Sequence, residues 1–526
     1  MKSSEFIELT SFDGRVPSEL AADYILPDTY PDVKKVLRVS AKPVLIGRYV
    51  SGRRLEFTGA VDYSVIFSAD TDSAESIHCV HFAGEWDGAV GELESLDRAN
   101  INITPHVTAC TQKLANPRKL TLKSTVTTDV KVTVPTKITP ACEGAATQAE
   151  EMALERLFQT VTARRERTFA AEPLRISENL EPDAAQPAID EIISCSADIC
   201  FHEAKPSRDG ELTIALNGAA LINCIYKSQG EAGVYKSFAR KVPVACIVGA
   251  GEHESCFAAC RPESICASAS ATTVEVNASV GENGYGERRV VELDLTADVT
   301  VHIVGGEDVP LVLDAYSVIR DSECVMRELD CESAGKVLFA NFSVGETVSR
   351  EELGISEGSS IIDAEAEVTA ASMSFERGRL QLSGTAAVSC ILENGGSYMS
   401  TEALLPIKCE LNVGELSEPI AYTCELTASD LRARLDPERV CFDFEVSLCA
   451  EVCEKTRRPA VSVIRLTGEQ RSIARDATLT LCYPTSSDTL WQVAKRYGTT
   501  VGALEAANTA GSRVLLVPEP RDGIVI

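Results

Sequence analysis

The sequence predicts a mainly β protein: three tandem β-rich domains followed by a small C-terminal α+β module of order β-α-α-β. Three observations lead there. One strand pattern built around a glycine occurs three times at domain-sized spacing, and a second, strictly alternating pattern closes each copy. Beyond residue 478 the apolar period changes from two to that of a helix.

The glycine pattern reads "RRLEFTGAVDYSVIFS" from Arg53, "ELTIALNGAALINCIYKS" from Glu211 and "GRLQLSGTAAVSCILEN" from Gly378. Gly59, Gly218 and Gly384 recur at intervals far longer than the ~20–50 residues of a solenoid repeat, so the copies are whole domains. A strand glycine weakens pairing unless it marks a bulge or a close approach, and one of these is expected at each position. The closing strands begin near Leu120 ("KLTLKSTVTTDV"), Val291 ("VVELDLTADVTV") and Val440 ("RVCFDFEVSLCAEV"), each alternating as a half-buried strand does. Thr, Val and Ile fill these segments while Gly, Pro and Asp separate them, which favours antiparallel sheets.

Ahead of each glycine strand lies a turn-rich stretch: "ILPDTYPDVKKVL", "LEPDAAQPAIDEII" and the looser "ISEGSSIIDAEAEV". Pro27 and Pro31 punctuate the first, and Asp32 can cap a short helical or extended segment carrying Val33, Val36 and Leu37. The domains are expected at residues 1–140, 166–308 and 336–456, with the C-terminal module at 478–519. Between the first two, Leu154, Leu157, Phe158 and Val161 fall at i, i+3, i+4 and i+7, predicting a helical linker over 145–165.

Composition narrows the function. The 526 residues are 44% apolar, enough for several cores, and no run approaches the ~18 apolar residues of a membrane helix, so no integral membrane protein is expected. A net charge of -28 repels phosphate backbones and argues against nucleic-acid partners. The 19 cysteines sit inside apolar strand patterns, where Cys224 and Cys390 align with Val65; there they act as small hydrophobes, and reduced thiols are expected. The N-terminal "MKSSEFIELTSFDGRVPSEL" has no apolar run of signal-peptide length, so a cytoplasmic protein is expected.

Signatures of metalloprotease and NTPase chemistry are missing. No HExxH helix or Gly-rich loop ending in GK[ST] occurs, and "VGENGYGERR" lacks the helix that a phosphate cradle needs. His78, Cys79, His81, His106 and Cys110 offer metal-ligating groups, but strand alternation puts at most two of the first three on one face. Cys256, Cys260 and Cys266 lack zinc-site spacing. No enzyme, metal or cofactor is expected.

The C-terminal "SSDTLWQVAKRYGTTVGALEAAN" lies between the strand-like "ATLTLCY" and "SRVLLVP" and resembles a LysM domain. Asp488 opens the first helix, with Leu490, Val493, Ala494 and Tyr497 on its apolar face; Gly498 ends it and Thr500 caps the second. Thr489, Trp491, Gln492, Lys495 and Arg496 then point outward and, with Ser487 and Asn508, form the expected binding surface, to which Asp488 also belongs. In glycan-binding LysM domains the loops before the first helix and after the second form the sugar groove. Here Ser487 stands where a glycine is usual, and "NTAGSRVLLVP" lacks the usual Pro-Gly-Gln turn.

The three repeats, with "YILPDTYPDVKKVL" and "EFTGAVDYSVIF" carrying the likeness, resemble the SPOCS domain of clostridial spore proteins. That resemblance implies a non-catalytic scaffold in endospore envelope assembly, working in the mother cell at the forespore surface. Its LysM domain would dock a protein, a SpoIVA-like coat morphogenetic ATPase; peptidoglycan is the alternative ligand.

Overall fold

The computed structural model describes residues 5–70, 75–93, 96, 98–144, 153–230, 234–414, 419–470, 480–485, 487–509 and 514–518. The first unit contains β1 (Phe6–Ile25), β2 (Lys35–Ser51), β3 (Arg54–Asp70), β4 (Glu75–Val90), β5 (Asn100–Asn116) and β6 (Lys119–Lys137). They form two antiparallel sheets, β2-β3-β4 and β1-β6-β5. The facing sides share one core, in which Leu55, Phe57, Val61, Val65 and Phe67 of β3 meet Leu120, Leu122, Val126, Val130 and Val132 of β6. Alternation along both strands produces this sandwich, because only every second side chain reaches the core.

A short β7 (Ala141–Glu143) precedes the second unit, which has β8 (Leu154–Ala170), β9 (Leu174–Leu180), β10 (Ile189–Asp209), β11 (Glu211–Ser228), β12 (Tyr235–Gly249), β13 (Cys266–Gly281) and β14 (Val290–Ser317). Its sheets are β10-β11-β12 and β13-β14-β8, with β9 pairing the opening of β14. The third unit has β15 (Arg320–Glu332), β16 (Lys336–Ser349), β17 (Ser360–Glu376), β18 (Arg379–Asn394), β19 (Ser397–Asn412), β20 (Pro419–Leu435) and β21 (Arg439–Gln470). Here β17-β18-β19 faces a sheet in which β15 and β16 pair successive halves of β21 and β20 also pairs it. All three units therefore share one strand order, and in units two and three the first strand is split in two.

Gly59, Gly218 and Gly384 lie in β3, β11 and β18, the middle strand of the corresponding sheet in each unit. Gly59 and Gly218 each face a register shift in the preceding strand, between Leu45 and Gly47 and between Phe201 and Glu203, whereas in the third unit the shift between Val368 and Ala370 lies opposite Ala386 and Thr385, and Gly384 pairs with Ala371 just beyond it. A Cβ on Gly59 would lie 2.3 Å from the Val44 carbonyl oxygen, and one on Gly218 2.4 Å from that of Cys200. The bulge pushes a carbonyl over the central strand, and only glycine leaves room for it. At the same offset past each glycine stand Val65, Cys224 and Cys390, at 0%, 0% and 2% exposure. No disulfide links any of the 19 cysteines.

The next residue along turns to the opposite face, where the three units meet. Ile66, Ile225 and Ile391 cluster there with Leu37 and Ile362, residues bulged out of β2 and β17, and with Ile77, Tyr235 and Tyr398; the corresponding Ile193 of β10 packs against them. The contacts run in a cycle: β4 touches β10, β12 touches β17 and β19 touches β2. One chain thus closes three sandwiches into a ring with pseudo-threefold symmetry, each unit supplying the same positions to the axis.

Charges break that symmetry. Arg38 and Asp363 follow their bulges at equivalent positions and form a buried ion pair, while Ser194 holds the third position. Asn223 Nδ2 donates to Asp363 at 3.2 Å and Arg38 Nη2 to the Ser389 carbonyl at 3.2 Å, so three units contribute to one network. On the other sheets, Lys131, His302 and Glu451 stand at one common offset from Leu120, Val291 and Val440. His302 Nε2 is 3.2 Å from Glu451, and Lys131 is 3.7 Å from Glu166 and 2.9 Å from Glu332.

The turn-rich stretch of the first unit turns at Asp28 and Thr29 and enters β2 without a helix, so Asp32 caps none: it accepts from Arg118 Nη1 at 3.0 Å, while Arg118 also donates to the carbonyls of Leu26, Pro27 and Tyr30. Arg289 does the same in the second unit, donating to the Gln186 and Asp183 carbonyls. The third unit has Glu438 at that position, and Arg350 donates instead to the Ser356 and Asp436 carbonyls.

The expected helical linker over 145–165 is corrected. Residues 145–152 lie outside the described residues, and from Leu154 the segment is strand β8, with Leu157 and Phe158 exposed. Pairing with β14 from Leu154↔Ser317 to Ala170↔Thr300 satisfies its backbone, and the β-branched run Thr160, Val161, Thr162 suits a strand. Strands of the second unit thus run from Leu154 to Ser317 and those of the third from Arg320 to Gln470, outside the expected 166–308 and 336–456.

Candidate binding site on the C-terminal module

The module folds as β22 (Thr480–Cys482), α1 (Leu490–Tyr497), α2 (Val501–Ala507) and β23 (Leu515–Val517), with β22 and β23 antiparallel. Thr489, not Asp488, is the N-cap of α1. Its hydroxyl accepts from the Gln492 N–H at 3.3 Å while its own N–H donates to Gln492 Oε1 at 2.8 Å, a reciprocal capping box. Gly498, at φ 62°, closes the helix in the left-handed region, and Thr500 caps α2. Val493, Ala494, Leu504, Cys482, Leu515 and Val517 form the core.

Leu490 is a second correction. It was expected in that core and is 38% exposed, because as the first residue of a two-turn helix it precedes the inward stripe that begins at Val493. Asp488 serves the loop: it accepts from the Thr485 N–H at 2.9 Å and from Arg496 Nη2 at 2.9 Å. The Thr485 backbone N–H, its hydroxyl and Arg496 hold the Asp488 carboxyl below its usual range. Asn508 is consumed structurally, donating to the Leu504 and Leu516 carbonyls at 2.7 and 2.8 Å and accepting from the Leu516 N–H at 2.6 Å. It pins α2 to β23 and has little side-chain capacity left for a ligand.

The outward face of α1 is divided. Trp491 and Lys495, one turn apart, meet the end of β14, Trp491 half-buried and Lys495 reaching in from the exposed rim: the Trp491 indole N–H donates to Asp314 Oδ2 at 2.9 Å, and the Lys495 ammonium donates to both Asp314 oxygens at 2.7 and 2.8 Å. Tyr316 packs edge-on against Trp491 with centroids 4.9 Å apart and donates from its phenol to the Thr499 carbonyl at 2.7 Å. Thr489, Gln492 and Arg496 share the remaining face and are exposed, as are Ser487, Thr485 and Tyr483 in the preceding loop. Residues 510–513 of the loop after α2 lie outside the described residues.

Sequence reasoning did not find Asp314 and Tyr316. Their only trace is an acid two residues before a tyrosine at the end of an apolar strand, "LVLDAYS", which by itself resembles any strand end. Among the described residues no group of three or more His, Cys, Asp or Glu side chains is placed to hold a metal. Cys79 Sγ and His81 Nε2 lie 3.8 Å apart, while His78 turns away to Ser76. No described helix is long and apolar enough to cross a membrane.

No curated protein and no solved structure matches the chain. The family model for the LysM domain matches residues 485–518, a span that takes in α1, α2 and β23. A LysM domain suggests peptidoglycan or another glycan as ligand. This chain therefore carries a LysM domain at its C-terminal end, seated on a ring of three β-sandwiches.

Proposed function

We propose that the chain is a non-catalytic scaffold of the endospore envelope whose LysM domain docks an assembly partner, a SpoIVA-like coat morphogenetic ATPase, in the mother cell at the forespore surface. The observation that carries this reading is the seating of the LysM domain on the second sandwich with its Thr489–Gln492–Arg496 face left open. A rigid carrier that presents one exposed edge is what an adaptor needs. The order of repeats supports it as well: three SPOCS-like units followed by one LysM resemble the clostridial spore protein SipL. The docking surface moves, however, from Trp491 and Lys495 to the open face and its neighbour Ser487. Arg496 there is half-exposed beyond its bond to Asp488, and its guanidinium offers further N–H donors to an acidic partner. With the full chain and the purified ATPase, Gln492→Ala combined with Arg496→Glu should weaken binding at least about tenfold, as loss of an interface anchor does. Undiminished binding by that folded variant would sink the assignment.

Peptidoglycan is the second reading, favoured by the LysM match and by Tyr483, 72% exposed in the loop before α1, where its ring offers a flat face to a sugar. Pelleting of the full chain with purified peptidoglycan, lost in Tyr483→Ala, would support it over the protein partner.

A further inference from the structure

The end of β14 and the first LysM helix fit each other as a ligand fits a site. Asp314 accepts the indole N–H of Trp491 and both approaches of the Lys495 ammonium, so its carboxylate is neutralised and its oxygens are used. Two residues on, Tyr316 points to the same side and is 3% exposed, its ring counted among the LysM core side chains and its phenol bonded to the turn between α1 and α2. Undocking would strip this aromatic of its cover and expose Trp491. The segment is also preorganised. It lies just past a register shift between Val312 and Asp314 in the middle strand of its sheet, its backbone N–H at Ala315 donates to Asp314 Oδ1 at 2.9 Å, and Cys324 Sγ donates to the Ala315 carbonyl at 3.1 Å.

We propose that this contact is a latch in cis: Asp314 and Tyr316 are the resident ligand of the Trp491–Lys495 face, fixing the orientation of the LysM domain and masking that face from outside partners. The latch presents the opposite face outward whether that face meets a protein or a glycan, so it stands or falls independently of the partner.

Trp491 reports on it directly. The chain has two tryptophans, and the other, Trp86, is 4% exposed with its indole bonded to the Ala60 carbonyl. In acrylamide quenching of the full chain, wild type should show Trp86 protected and Trp491, half-buried against Tyr316, quenched only in part. Asp314→Ala should shift the docked-to-undocked ratio by about ten- to a hundredfold, the range for hydrogen bonds to a charged group. Asp314→Ala with Tyr316→Ala should make one tryptophan freely quenchable, and adding Trp491→Phe should abolish that component. Lys495→Ala added to Asp314→Ala should change little, since both remove one contact. Slow exchange of the Val493 amide would confirm that the domain stays folded. A Trp491 as accessible in wild type as in the double variant, or equally protected in both, would overturn the latch.

Discussion

Arg38 and Asp363, 325 residues apart in sequence, form a buried ion pair on the pseudo-threefold axis, at positions that the repeat makes equivalent. The pair therefore ties the first unit to the third and distinguishes two interfaces that symmetry would otherwise make alike. Asp363→Ala would leave the guanidinium buried with Glu365, 3.3 Å away, and the Ser389 carbonyl as its remaining partners. Breaking such a pair costs about 3–5 kcal/mol, and the residual contacts place the loss at the lower end. Replacing both residues, Arg38→Met with Asp363→Leu, should recover most of it; urea unfolding of the single and double variants measures the difference.

The glycines under the bulges make a second prediction. Gly59→Ala and Gly218→Ala place a methyl group against a backbone carbonyl that cannot swing away, so each should cost about 1–3 kcal/mol as overpacking does. Gly47→Ala is the control, since its Cβ would meet only Thr58 Oγ1 at an ordinary 3.8 Å. A melting temperature for Gly218→Ala no lower than that of the control would refute the packing argument.

Stability should peak on the acid side of neutrality. Burial alone would raise the Glu166 and Glu451 carboxyls, but Arg164 more than offsets it, with Lys131 helping at Glu166 and His302 at both; Glu166 falls to about 2 and Glu451 also falls. Depressed carboxylates contribute stability above their unfolded value of about 4.3 that is lost as pH falls toward 2. Burial pushes Glu425 up to about 7, and burial with Glu365 and Asp198 pushes Glu367 up to about 6. For these two, stability is full below about 4.3 and declines as pH rises through 6 to 7, tempered because solvent reaches both side chains. The net charge of -28 at neutral pH acts in the same direction. Melting temperature against pH should therefore be highest near pH 4 to 5, by the same linkage, and Glu425→Gln should flatten the neutral limb.

Within the LysM domain, Leu504→Ala should open a fully buried site and cost about 2–5 kcal/mol, whereas the part-exposed Leu490→Ala should stay within about 1 kcal/mol. Loss of amide protection at Val493 in the first variant and its retention in the second would establish where the core begins. Equal loss in both would return Leu490 to the core.

The repeats were readable because strand alternation, the glycine and the substitution of cysteine for valine are local facts repeated three times. Even the clamp by Arg118 and Arg289 leaves a trace, since both stand two residues before the strand-opening Leu120 and Val291. The strand over Leu154–Ala170 was misread because an i, i+3, i+4, i+7 spacing of apolar residues costs a short segment nothing, and only the presence of β14 as a partner decides its conformation. Leu490 was misplaced because a helix of two turns offers too few residues to fix where its buried stripe starts.

By itself the sequence determined three like β-rich units, a glycine strand in each and a LysM domain at the end, because each depends on residues close together in the chain. Tertiary structure alone decided that the sandwiches close into a ring and that Trp491 and Lys495 are spent on Asp314. Those contacts join side chains more than a hundred residues apart, and their energies depend on burial and on the pairing of charges across units.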